Sequence, residues 1–87
     1  MEIGGIMFKN KHTDGKKNVC GKNIAKLRMN MKPFVSQRAL AEKLQVIGVD
    51  LDKNAIQKIE SGIGYVTDIE LLAFAKIFNV TTDELLK

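Results

Sequence analysis

The sequence predicts an all-α domain of five short helices, and three observations carry that prediction. Apolar residues recur at helical spacing, helix-capping residues stand ahead of most of the apolar stretches, and no run alternates apolar with polar residues as a half-buried strand would. At 87 residues the chain has material for one compact domain with a thin core, because a small globule buries only a modest share of its surface.

Residues 1–18 show no sustained period and hold three of the seven glycines beside a run rich in Lys, Asn, His, Thr and Asp. They read as a basic flexible arm, leaving residues 19–87 as the helical domain. Cys20, Ile24, Leu27 and Met31 then fall at i, i+4, i+7 and i+11, the stripe of a first helix that Pro33 is expected to end. Ser36 caps a second helix whose inner face is Leu40, Ala41, Leu44 and Ile47, with Gly48 as its stop. Asp52 caps a third, Lys53 to Ser61, with Ile56 and Ile59 turned inward and Gly62 closing it. Thr67 and Glu70 form a capping box for a fourth, Asp68 to Phe78, whose Leu71, Leu72, Ala75 and Phe78 are expected in the core. Thr81 and Glu84 repeat the pattern for a last short helix, Thr82 to Leu86.

Composition narrows the function classes. No apolar run approaches the roughly 20 residues of a membrane span, and the first eight residues lack the basic lead and long apolar stretch of an export signal. A lone cysteine, Cys20, leaves no internal disulfide, in keeping with a cytoplasmic protein. Metal is not expected, because a zinc site needs three or four ligands and His12 and Cys20 are the chain's whole stock of His and Cys. No cofactor motif or nucleophile motif is present, so an enzyme is not expected. Net charge is +4 and unevenly spread: residues 1–22 carry +3, residues 23–67 carry +3 and residues 68–87 carry −2. A molecule so lopsided is suited to offering one face to a polyanion.

The third helix is the candidate for that face. With Ile56 and Ile59 fixing its buried side, a wheel at about 100° per residue points Asn54, Gln57, Lys58 and Ser61 outward, with Lys53 at the free N-terminal end. Amides can pair bidentately with adenine and lysine can reach guanine O6 and N7, so such a helix suits the major groove of duplex DNA. A polar outer face is also common on any solvated helix, and the surrounding sequence carries the discrimination.

Five runs in order, Gly21 to Arg28 (GKNIAKLR), Ser36 to Leu44 (SQRALAEKL), Ala55 to Gly62 (AIQKIESG), Asp68 to Ala75 (DIELLAFA) and Phe78 to Leu86 (FNVTTDELL), resemble the Cro/Xre-type, lambda-repressor-like helix-turn-helix domains. The resemblance implies a compact five-helix DNA-binding domain in which helix 53–61 enters the major groove. It places Lys53, Asn54, Ala55 and Lys58 at base-reading positions, with Gln57 auxiliary. Gln37 matches a glutamine that touches a phosphate and braces the recognition helix; Ser36 and Arg38 flank it, and Ser61, Gly62 and Ile63 match a stretch lying against phosphates. Arg28 and Glu60 resemble a structural ion pair.

The implied function is a sequence-specific transcriptional regulator, a repressor binding a palindromic operator as a homodimer. The alternative is an antitoxin-like or regulatory protein-interaction module on the same fold. One departure matters. The stretch from Leu44 to Ile56 is longer than the common form, matching a long-connection subgroup that also has a Tyr-Val-Thr-Asp run like Tyr65 to Asp68. The extra residues are expected to extend the second helix through Ile47, with Val49 or Leu51 filling the gap before the third.

Overall fold

A computed structural model describes Met7–Phe8 and residues 17–87. Among these residues the elements are β1 (Met7–Phe8), α1 (Gly21–Met29), α2 (Gln37–Val46), α3 (Lys53–Glu60), β2 (Val66–Thr67), α4 (Asp68–Phe78) and α5 (Thr82–Leu86). The fold is all-α, as expected from the helical periods. The one addition is a two-residue antiparallel pairing that sets Met7 opposite Thr67 and Phe8 opposite Val66. Two residues cannot display a period of two, which is why no strand was legible in the sequence. The predicted flexible arm otherwise lies outside the described residues, except that Lys17 and Asn18 are docked against the helices.

The caps explain where most of the helices begin. Ser36, Asp52, Thr67 and Thr81 each accept a hydrogen bond from a backbone N–H in the first turn they precede, and Thr67 with Glu70 completes the reciprocal capping box. Each such bond satisfies a donor that the helix itself cannot pair. α1 differs, because Cys20 offers no side-chain cap. There the Asn18 side-chain oxygen accepts from the Gly21 N–H at 2.7 Å.

Helices α2 and α3 end alike. After α2, the Val49 N–H reaches the Leu44 carbonyl and the Gly48 N–H reaches that of Gln45; after α3, Ile63 and Gly62 bond Lys58 and Ile59 in the same pattern. Gly48 and Gly62 take φ of 91° and 87°, values that a Cβ makes costly. This termination corrects the expected extension of α2. Ile47 is its exposed C-terminal cap rather than part of the buried face, and the inward turn passes burial to Val49 and Leu51, which pack against the core. α1 likewise stops at Met29, before Pro33. Asn30 closes it, so the helix ends before Lys32, the residue that Pro33 disfavours in a helix.

Phe74, Ile24, Leu40, Leu44, Ile56 and Leu85 are wholly buried at the centre. α3 lies against α1 and α2, while α4 packs on α2, α5 and β2. The expected core face of α4 needs one correction, since Leu72 is exposed whereas Phe74 and Ala73 are buried. That helix is apolar almost all round, so a wheel does not single out the arc its neighbours cover. Phe74 and Phe78 stack with ring centroids 6.4 Å apart.

Candidate nucleic-acid interface

α3 presents two chemically distinct sides. Ile56 and Ile59 are buried against the core, and their spacing of three keeps them on one face. Lys53, Asn54, Gln57 and Lys58 are exposed, and Ala55 is half-buried. The Asp52 carboxylate accepts from the Ala55 N–H at 2.8 Å, which sets the start of the helix and leaves the four long polar side chains in solvent. Arg38 and Lys53 line one cleft between α2 and the start of α3, together with Glu42, Gln45, Asp50 and Asp52. The two cations from the starts of these helices share that opening with three carboxylates.

The other end of α3 is tied down by Glu60. Its carboxylate accepts from the Arg28 guanidinium through two bonds, Nε to Oε2 at 2.6 Å and Nη2 to Oε1 at 3.0 Å, the fork geometry that makes such pairs specific. Both side chains are less than a tenth exposed. The third guanidinium nitrogen donates to the Val35 carbonyl at 3.0 Å. Gln37 Nε2 donates to Glu60 Oε1 at 2.9 Å. One carboxylate thus joins α1, the first residue of α2 and the last residue of α3.

That junction joins Gln37 to the end of α3, just ahead of Ser61, Gly62 and Ile63, while Arg38 lies toward the start of α3, in the cleft with Lys53. Ser36 and Arg38 are exposed, Gln37 is half-buried, Gly62 is buried, and Ser61 and Ile63 are exposed. The Ser36 hydroxyl accepts from the Ala39 N–H, and that of Ser61 donates to the Lys58 carbonyl.

Asn18 is a residue that sequence reasoning missed. It is buried, and its amide nitrogen donates to the Gly64 carbonyl at 2.6 Å and to that of Ile59 at 3.2 Å, while its oxygen holds the Gly21 N–H. Lys17 adds a backbone N–H to the Gly62 carbonyl at 2.6 Å, and its ammonium lies 5.3 Å from the Tyr65 ring centre. No signal in the sequence marks it, because Asn18 stands two positions before the N-cap Cys20 and its other partners are 41 and 46 residues away. Beside it, Cys20 is buried and its thiol is pushed up to about 11, chiefly by desolvation. Among the described residues no group of three or more His, Cys, Asp or Glu could hold a metal ion, and no helix is long and apolar enough to cross a membrane.

A short polar helix anchored by two isoleucines, preceded by a helix bonded to its far end, is the arrangement of a helix-turn-helix. A family model for Helix-turn-helix domains (HTH_3) matches residues 35–85, and the chain belongs to this family of Cro/C1-type DNA-binding domains. No curated protein and no solved structure matches the chain.

Proposed function

We propose that the chain is a sequence-specific transcriptional regulator of the long-connection subgroup, a repressor that occupies a palindromic operator as a homodimer in the cytoplasm. The observation that carries this reading is the outer face of α3, where Lys53, Asn54, Gln57 and Lys58 stand exposed on a helix whose inner face is buried. In this reading those four residues and Ala55 lie at base edges in the major groove. Ser36, Gln37, Arg38, Ser61, Gly62 and Ile63 follow the phosphates, which position the helix without reading sequence. A single module of this size buries on the order of 600–1,000 Å² on DNA. Pairing of two copies on half-sites about one helical turn apart supplies the remaining affinity.

Selection of bound duplexes from a random pool tests the reading. The expected product is an inverted repeat with half-sites about 10 base pairs apart. Binding to it should fall linearly in log salt, because neutralised phosphates release counterions. A pool that enriches nothing, or binding indifferent to salt, would overturn it.

A further inference from the structure

We infer that Asn18 is a positioning residue of the DNA interface, acting through the turn that follows α3; this rests on the regulator reading above. The turn from Ser61 to Gly64 carries the residues assigned to phosphates, and its inner side is held from one place. The carbonyls of Ile59 and Gly64 accept from the Asn18 amide, and that of Gly62 accepts from the Lys17 N–H. The turn's amides are spent internally, with Gly62 on Ile59 and both Ile63 and Gly64 on Lys58. Two of the turn's carbonyls and that of Ile59 are pinned inward and all four of its amides are used locally, which restricts the turn to an arrangement in which Ile63 and Ser61 are exposed.

The same asparagine is tied to the start of α1 through the Gly21 N–H. Gly21 lies so close to α3 that a Cβ there would run into the Ile59 carbonyl oxygen. Asn18 is therefore the link that registers the exposed turn against the body of the domain. A surface that must meet DNA without rearranging gains affinity from such pre-organisation.

The test compares Asn18→Ala and Asn18→Asp with Asn23→Ala. Asn23 lines the same cleft as Ser61 and Gly62 but donates to the Leu85 carbonyl, tying α1 to α5 without bonding the turn; its loss should lower stability while leaving the turn's hydrogen bonds in place. Binding to the selected duplex is measured across a salt series, at a temperature where urea melts show every variant to be folded. Both Asn18 variants are expected to bind about 5- to 10-fold more weakly, the worth of a positioning hydrogen bond. For Asn18→Ala the slope of log affinity against log salt should stay that of the wild type, because the turn that Asn18 holds carries no cation. The preferred sequence should stay that of the wild type, and Asn23→Ala should keep both affinity and slope. Folded Asn18 variants that bind with wild-type affinity would overturn the inference while leaving the regulator reading intact. A wild-type chain that binds no duplex would sink that reading itself, and the inference with it.

Discussion

The turns after α2 and α3 use the same hydrogen-bond pattern and the same left-handed glycine, yet display opposite chemistry. After Gly48 the chain folds inward, and Val49 packs against the core. After Gly62 it folds outward, and Ile63 is 57% exposed. A Cβ at Gly48 would meet nothing within 4 Å, whereas Gly62 is buried, with its carbonyl held by Lys17. The backbone motif ends a helix but does not decide what the next residue faces. That decision belongs to whatever lies behind the turn, and behind the second turn lies a segment more than 40 residues away in sequence.

Removing the supports of the second turn should produce effects that the first turn cannot show. The largest is expected from Glu60→Ala, which leaves the Arg28 guanidinium buried and unpaired, at a cost of about 3–5 kcal/mol. Urea melts measure it, and an unchanged midpoint would contradict the pairing's role. Gly21→Ala should cost about 2–3 kcal/mol, because the obstructing atom is backbone and cannot swing aside; a milder melt would show that α1 can shift.

Binding comes next. Lys58→Ala or Asn54→Ala should lose about 1–3 kcal/mol of operator affinity and relax base preference. Gln37→Ala should weaken all duplexes evenly, and titrations on matched and mismatched sites separate the two patterns. The glycines give the direct comparison, with Gly48→Ala near 1 kcal/mol from backbone strain and Gly62→Ala nearer 2. Equal losses would mean that the backing adds nothing.

The smallest effect is alkaline. Below about pH 9 the Cys20 thiol is protonated in both folded and unfolded chains. Above it the unfolded chain ionises, while the folded thiol holds its proton to about 11. Stability should therefore fall by about 1 kcal/mol by pH 10, a loss that Cys20→Ala should lack in parallel melts.

Features that depend on adjacent residues were legible in the sequence. Ser36, Asp52, Thr67 with Glu70, and Thr81 announce four helices because a cap and its partner lie within one turn. Ile56 and Ile59 announce the inner side of α3 for the same reason. The failures lie where partners are remote or the pattern is saturated. Asn18 reads as part of a polar arm because its partners, Ile59 and Gly64, are 41 and 46 residues away. Leu72, expected in the core, is exposed, and Phe74, not singled out, is buried, because α4 is apolar on nearly every side. Ile47 continues a stripe that Gly48 interrupts by turning the backbone, which a periodicity does not register.

The bond between Gln37 and Glu60 has a mechanical consequence. α3 has 8 residues and is therefore roughly 12 Å long. Glu60 holds it at one end, while Lys53 stands at the other. A tilt of about 10° about the held end would carry Lys53 sideways by roughly 2 Å, further than a hydrogen bond to a base edge tolerates. In the proposed reading the carboxylate thus acts as the fulcrum of a lever, and the aim of the side chains at the far end is set by a buried group at the near one.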